Sequence, residues 1–363
     1  MNRFYSLKHT PIAFHFRQNS RDFVVDEIPL YEFSGEGEHL ILHIRKKNLT
    51  TWEVVDMLSH HLGIKAKEIG YAGLKDKNAL TKQYFSVNRQ HEEKMKSFER
   101  EGVKILSTTY HNNKIRTGHL KGNRFFIRVK KVNPVAGKKI DEALKEIKKN
   151  GMPNFFGYQR FGNDGDNYKL GEAIVHGRRR EKNIKLKKLL ISSYQSHLFN
   201  LWLSRRIEIN TLLDNFTSKE LSGLLNLSEE TIVRLQKQSH PFKLIEGDMM
   251  MHYPHGRMFT LEGEEDIERF NAHGISPGGL LVGKKVKRSE GDAYTVEKEF
   301  DEDVNIDGGR RYAWIFPEDV EGEYKEHEAW YEFHFTLPKG SYATVLIEEI
   351  AKRPLKEEKN SAK

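Results

Sequence analysis

The residues best suited to chemistry lie in Gly70-Tyr71-Ala72-Gly73-Leu74-Lys75-Asp76-Lys77-Asn78-Ala79-Leu80-Thr81-Lys82-Gln83. A single carboxylate, Asp76, stands between Lys75 and Lys77, and neighbouring positive charge favours its ionised form. An ionised carboxylate can serve as nucleophile or base, and the same lysines can meet a phosphate backbone. Gly70, Ala72 and Gly73 are small enough for a tight turn or for close approach of a ligand. A Lys-Asp-Lys triplet by itself is more often a solvated loop, so its meaning depends on what accompanies it.

A second constellation is Gly151-Met152-Pro153-Asn154-Phe155-Phe156-Gly157-Tyr158-Gln159-Arg160-Phe161-Gly162. It combines prolyl rigidity, aromatic rings, an amide and a cation. Read structurally, this is a tight aromatic corner; read as a site, it is an aromatic floor with hydrogen-bonding edges, suited to an extruded base. A third is Asn123-Arg124-Phe125-Phe126-Ile127-Arg128-Val129-Lys130, a strand pattern with Phe125, Ile127 and Val129 on one face. Its other face holds Arg124, Phe126, Arg128 and Lys130, either a solvated basic face or a surface for RNA, where rings stack on bases and cations hold phosphates. The run Arg178-Arg179-Arg180 with Lys182, Lys185, Lys187 and Lys188 is likewise a solvated helix start or a backbone contact.

Composition narrows the classes. The 363 residues suffice for about two domains. A net charge of +8 favours a polyanionic partner. There is no cysteine, which rules out disulfides, thiolate nucleophiles and thiolate metal sites and suits a reducing compartment. The 17 histidines include no H-E-x-x-H spacing, and the adjacent His60-His61 point apart on a predicted helix. Asp164-Gly165-Asp166-Asn167 resembles a calcium loop, but Val175 stands where its closing glutamate belongs. No phosphate-cradling glycine loop or nucleophile elbow occurs. No metal and no cofactor are therefore expected. The start, Met1-Asn2-Arg3-Phe4-Tyr5-Ser6-Leu7, lacks a signal-peptide pattern, and no apolar run approaches the ~20 residues of a membrane helix. The expected location is the cytoplasm.

The elements that must position these residues follow from periodicity. Phe23–Ile28, His39–Arg45, Tyr84–Val87 and Asn123–Lys130 alternate as strands. Thr50 or Thr51 caps a helix carrying Val54, Val55, Leu58 and Leu62, with Gly63 as its stop. Asp76 thus falls in a loop or edge segment between a helix and a strand. Ile140, Leu144 and Ile147 mark another helix. The middle changes character: residues 184–207 are strongly helical, followed by shorter helices and by glycine-rich strands. Trp330–Leu337 alternates again, as if the first domain resumes after an insertion. Residues 353–363 form a charged tail expected to fray.

Together with the Lys-Asp-Lys segment, the Gly151–Gly162 motif resembles the TruD family of tRNA pseudouridine synthases. Further matches in the same order are Asp22-Phe23-Val24-Val25-Asp26-Glu27, Leu120-Lys121-Gly122-Asn123-Arg124-Phe125, Gly247-Asp248, and Leu337-Pro338-Lys339-Gly340-Ser341-Tyr342-Ala343-Thr344. The resemblance implies an α+β pseudouridine synthase core, a mixed and mainly antiparallel sheet flanked by helices, interrupted by an inserted α/β TRUD domain. On it, the core covers 1–157 plus 309–352 and the insertion 158–308. Asp76 matches the catalytic aspartate, Phe156 the aromatic residue that stacks on the target base, Asn154 an asparagine that holds the site, and Phe23 a pocket phenylalanine. Lys75, Lys77 and Arg160 join them as substrate contacts. The implied reaction isomerises uridine 13 in the D-arm of tRNA, with tRNA as partner and a monomer as the default state. One departure stands out: many relatives carry an arginine followed by glutamate where this chain has Glu348-Glu349. If that arginine pairs with the catalytic aspartate or with RNA, this chain must recruit another cation, and Arg17, where the family often has lysine, is a candidate. The competing reading is a non-catalytic RNA-binding protein or RNA chaperone using the same basic, aromatic surface. An RNA methyltransferase is disfavoured by the missing cofactor loop.

Overall fold

The computed structural model describes residues 3–162 and 164–355. The chain forms two compact units, each assembled from separated stretches. Among the described residues, one comprises Ile12–Leu144, Pro317–Gly340 and residues 354–355; the other comprises residues 3–11, Lys145–Phe316 and Ser341–Arg353. From residue 356 onward, the expected charged tail lies outside the described residues.

In chain order the first unit contributes β1 (Phe23–Pro29), β2 (His39–Lys47), α1 (Thr51–Leu62), β3 (Gly70–Tyr71), β4 (Leu80–Asn88), α2 (Glu92–Met95), β5 (Val103–His111) and β6 (Leu120–Lys130). Helix α3 (Pro134–Asn150) leads into the second unit, with β7 (Met152–Pro153), α4 (Asn167–Val175), α5 (Ile184–Leu213), α6 (Ser218–Leu225) and α7 (Glu229–Lys237). It continues through β8 (Met249–His252), β9 (Met258–Thr260), α8 (Glu264–Asn271), β10 (Ile275–Leu281), α9 (Gly291–Glu297), β11 (Gly309–Tyr312) and β12 (Trp314–Ile315). The chain then returns to the first unit with β13 (Glu318–Lys325) and β14 (Trp330–Pro338), and α10 (Ala343–Ala351) belongs to the second.

The first unit is built on an eight-stranded sheet of order β13-β14-β6-β1-β4-β2-β5, with β3 on β4. All its neighbours run antiparallel except β1 and β4. This is the expected mixed, mainly antiparallel core. Helix α1 forms as its sequence dictates. Thr50 accepts from the Glu53 N–H, Glu53 answers with a bond from the Thr50 N–H, and Gly63 ends the helix at φ 69°. Val54, Val55, Leu58 and Leu62 then pack on Leu40, Leu42, Ile44, Phe85 and Val87 of the sheet, each fully buried side chain contributing about 1.5–3 kcal/mol. Strand β5 lies at the sheet edge beside β2 and has no fully buried residue; Val103, Ile105 and Tyr110 are half-buried against the core, while Lys104, Leu106, Ser107 and Thr108 are exposed.

The second unit wraps α5 with shorter helices and a four-stranded sheet of order β11-β10-β8-β9, while β7 pairs with β12. Tyr194 and Leu198 of α5 meet Leu280, Val282 and Val304 in one core cluster. Farther along the same helix, Arg206 forms a buried two-pronged pair with Asp248 at 2.7 and 2.8 Å. Gly247 before it adopts φ 89°, and a Cβ there would lie 2.1 Å from the Glu290 carbonyl. The Gly247-Asp248 motif is thus an internal brace of this unit. None of the described helices is long and apolar enough to cross a membrane.

Candidate active site

Asp76 sits in the loop between β3 and β4, with its side chain exposed. Four contacts pin the backbone of this loop, three of them from β4, α1 and β2 and one within the loop. Gln83 of β4 donates to the Gly73 carbonyl at 2.6 Å, and the Lys75 N–H donates to Thr51 Oγ1 at 2.9 Å. The hydroxyl of Thr51, the first residue of α1, in turn donates a hydrogen bond to Gln83 Oε1 at 3.1 Å. The Ala79 N–H closes onto Lys77 O at 2.8 Å. Lys46 of β2 donates to Asp76 O at 3.1 Å. Gly70 belongs to the same scaffold, because a Cβ there would lie 2.3 Å from Ser86 Oγ and 2.4 Å from Ile115 O. Gly73 has open space around it, so its value lies in its carbonyl.

The two flanking lysines each take an acidic partner within the fold. Lys75 turns inward, pairs with Glu27 of β1 at 2.7 Å and donates to Asn123 Oδ1 at 2.8 Å. Burial pushes the Glu27 carboxyl upward, and Lys75 opposes that rise. Lys77 bonds Glu53 of the α1 capping box at 3.0 Å. Glu53 is held down to about 2 by the Thr50 N–H and the Lys77 ammonium. Both lysines therefore anchor the loop to the sheet and to the helix start.

The Asp22–Glu27 segment explains itself in the same terms. Phe23 is 2% exposed and meets Phe16 and Phe125 edge-on at 6.3 and 6.2 Å, so it lines the core of this unit. Asp26 pairs with Lys82 at 3.0 Å. Asp22 takes Lys130 at 2.6 Å and Arg128 at 3.3 Å, while Glu332 takes Arg128 at 2.7 Å. Burial works against ionised Asp22, but the bonds from Lys130 and Asn19 and the nearby cations hold its carboxyl low. The basic face expected on β6 is thus largely matched by acids from its neighbours, leaving Arg124 exposed.

In the second unit the aromatic segment forms a second constellation. Asn200 of α5 clamps Phe156 by its backbone, accepting from its N–H at 2.8 Å and donating to its carbonyl at 2.9 Å. The Phe156 ring, partly exposed, meets Phe199 edge-on at 5.5 Å, and the Arg311 guanidinium lies 4.0 Å from its centroid. Asn154 is buried. Its amide donates to Tyr312 O at 2.9 Å and accepts from Arg311 at 2.9 Å, and its carbonyl accepts from the Arg311 Nε–H at 3.2 Å. Burial pushes Arg311 down to about 10, with Tyr342 opposing and Arg160 adding to the fall. Arg160 is tied to α5 through Ser196 Oγ at 3.0 Å and Ser192, and lies 5.6 Å from the Phe156 centroid.

So Asn154, Phe156 and Arg160 converge within one unit, while Phe23, Lys75, Asp76 and Lys77 belong to the other. Sequence reasoning missed Lys46 and Arg311, since neither differs in type or spacing from the surrounding cations. Glu348 and Glu349 hold Arg3 at 2.7 and 2.9 Å, and Glu349 also accepts from the Ser6 N–H at 2.5 Å. Arg17 is exposed, whereas Lys46 contacts the Asp76 backbone. The arginine run before α5 is exposed, with Arg178 on Glu172 at 2.8 Å and Asn183 capping the helix.

The model of the family described as tRNA pseudouridine synthase D (TruD) matches residues 2–183 and 179–350. A tRNA pseudouridine synthase D from Sulfurimonas denitrificans is 62% identical over 356 residues, 98% of this chain and 100% of the relative. One from a Nitratiruptor species is 58% identical, covering 99% and 100%. A crystal structure from Methanosarcina mazei assigned to tRNA pseudouridine synthase D superposes with a TM-score of 0.68 at 22% identity, covering 97% of this chain and 96% of that one, and shares its fold. By the full-length match to the family model and to relatives well above half identical, the chain belongs to the tRNA pseudouridine synthase D (TruD) family.

Proposed function

We propose that this protein isomerises uridine 13 in the D-arm of tRNA to pseudouridine, with Asp76 as the reacting carboxylate and Phe156 as the surface on which the extruded base stacks. Pseudouridine synthesis is the activity for which the family is named. The N1–C1′ bond of the uridine breaks, the uracil turns, and a C5–C1′ bond forms while the C5 proton is lost and N1 regains one. Nothing is oxidised and no group arrives from outside, so the reaction asks for no metal or cofactor. Asp76 either attacks C1′ or the base, or removes a ribose proton to give a glycal.

The observation that carries this reading is the loop around Asp76. Its backbone is bound at Gly73, Lys75 and Asp76 from β4, α1 and β2, while the carboxylate-bearing side chain is exposed. A reacting group needs this combination of fixed placement and access. Extruding a uridine costs a few kcal/mol, offset by about 1–3 kcal/mol from stacking on a ring such as Phe156 and by phosphate contacts. Phe156 has no hydroxyl to accept a proton, so stacking is the role its chemistry allows. The same reading assigns 1–157 with 309–352 to the catalytic core and 158–308 to the inserted domain. In its support, the eight-stranded sheet draws only on residues 23–130 and 318–338. We take the enzyme to act as a monomer in the cytoplasm.

The test is to incubate wild-type and Asp76→Asn protein with unmodified tRNAs and map pseudouridine by carbodiimide-dependent primer-extension stops. A stop at uridine 13 with wild type alone, at similar tRNA binding, is the expected result. Substantial turnover by Asp76→Asn removes the assignment of Asp76. Tight tRNA binding without any stop in either protein supports a non-catalytic RNA-binding role instead.

A further inference from the structure

Strand β2 presents Leu40, Leu42 and Ile44 to the core under α1, and the next residue on that face is Lys46. Its side chain is as buried as theirs, at 0% exposure. An ammonium there loses its hydration, and a methionine or leucine would fill the same space without that loss. The ammonium is directed at two carbonyls. It donates to Leu49 O at 2.5 Å and to Asp76 O at 3.1 Å. One links the turn that leads into α1; the other links the residue proposed to react.

We propose that Lys46 is a positioning residue for the isomerisation: its ammonium clamps the backbone of Asp76 to the end of β2 and keeps a buried positive charge beside the Asp76 carboxylate. This rests on the reading of Asp76 given above. A carbonyl fixed by a charged donor has little freedom to rotate, so the Cα–Cβ direction of Asp76 is set before substrate arrives. The buried cation also stabilises the ionised carboxylate in a setting that water screens weakly. Burial pushes Lys46 down to about 8; the Asp76 charge resists, Lys75 adds to the fall, and Glu53 of α1 resists it. The clamp therefore holds its charge at neutral pH and weakens as pH rises past about 8.

The experiment measures kcat, KM and their pH dependence on unmodified tRNA for full-length wild type, Lys46→Met and Asp76→Asn, with melting temperatures of each. Methionine keeps the length and removes the charge. Lys46→Met is expected to lose at least about tenfold in kcat with KM for tRNA little changed, since a misplacement near 1 Å costs on the order of 100-fold. Wild-type kcat is expected to fall above about pH 8, and in Lys46→Met that alkaline limb vanishes. A folded Lys46→Met with wild-type kcat and pH profile overturns the proposal. Should that variant not fold, the wild-type profile decides: a kcat flat from pH 7 to about 9.5 overturns it, and a fall near 8 supports it. An active Asp76→Asn removes the reading of Asp76 and this proposal with it. An inactive Asp76→Asn beside a fully active Lys46→Met removes only the role of Lys46.

Discussion

The guanidinium of Arg311 lies 4.0 Å from the centroid of the Phe156 ring and at the same time forks onto Asn154 through its side-chain oxygen and its carbonyl. A ring backed by a cation on one side is fixed in plane and leaves its remaining surface for a base. Arginine does this as lysine cannot, because the planar fork fits the amide while its flat face lies on the ring. The two motif residues Asn154 and Phe156 thus share one partner from β11.

From this arrangement, Arg311→Lys and Phe156→Ala should each lower kcat/KM by about 10- to 100-fold, corresponding to about 1–3 kcal/mol of lost stacking and alignment. Their double variant should fall short of the product of the two, since both act on one ring. Phe156→Tyr should be the mildest of the set. Single-turnover kinetics on tRNA check this; a strictly multiplicative double variant, or a Phe156→Ala enzyme with unaltered kinetics, contradicts the stacking role.

The buried Lys75–Glu27 pair predicts a different signature. Removing one partner leaves an uncompensated charge, so Glu27→Gln or Lys75→Met should cost about 3–5 kcal/mol in urea unfolding. Replacing both at once should cost clearly less than the sum of the two, because no lone charge remains. Additive losses would mean that the 2.7 Å contact contributes little.

His240 sets a pH dependence of stability. It accepts from the Phe242 N–H on Nδ1 at 3.0 Å, which leaves the Nε2–H to donate to Asn150 O at 2.9 Å, and it packs on Phe270 and Trp314. Burial holds it neutral and pushes it down to about 4. Between about pH 6.5 and 4 the unfolded chain binds the proton that the folded chain refuses, so stability rises with pH through that window. Acidification from 7 to 4 should remove about 3 kcal/mol, on the order of 1.4 per unit, beyond what other groups contribute. His240→Gln should flatten that part of the profile in denaturant titrations; an unchanged slope would exclude this histidine as its source.

Much of the architecture was legible because it depends on local order. The capping box at Thr50 and Glu53, the stop at Gly63 and the apolar stripe of α1 are each written within a few residues, as is the alternation of β1, β2, β6 and β14. The family resemblance was legible in short motifs, and the position of Asp76 in a loop before β4 followed from its neighbours. Strand β5 was not legible, because an edge strand with no fully buried residue imposes only a weak period.

What only the tertiary structure decided is where each charge finds its partner. In sequence Lys75 and Lys77 are equal cations beside Asp76; folded, one is buried against Glu27 of β1 and the other meets the α1 cap. Arg128 and Lys130 read as an open basic face until β1 and β14 bring Asp22 and Glu332 beside them. Lys46 and Arg311 carry no mark at all in the chain, yet one holds the Asp76 backbone and the other backs the Phe156 ring. Periodicity reports which face of an element is buried, because burial acts on every turn or pleat. Ion pairing acts between residues tens or hundreds of positions apart, so the pairs emerge only when the sheet order brings their strands together.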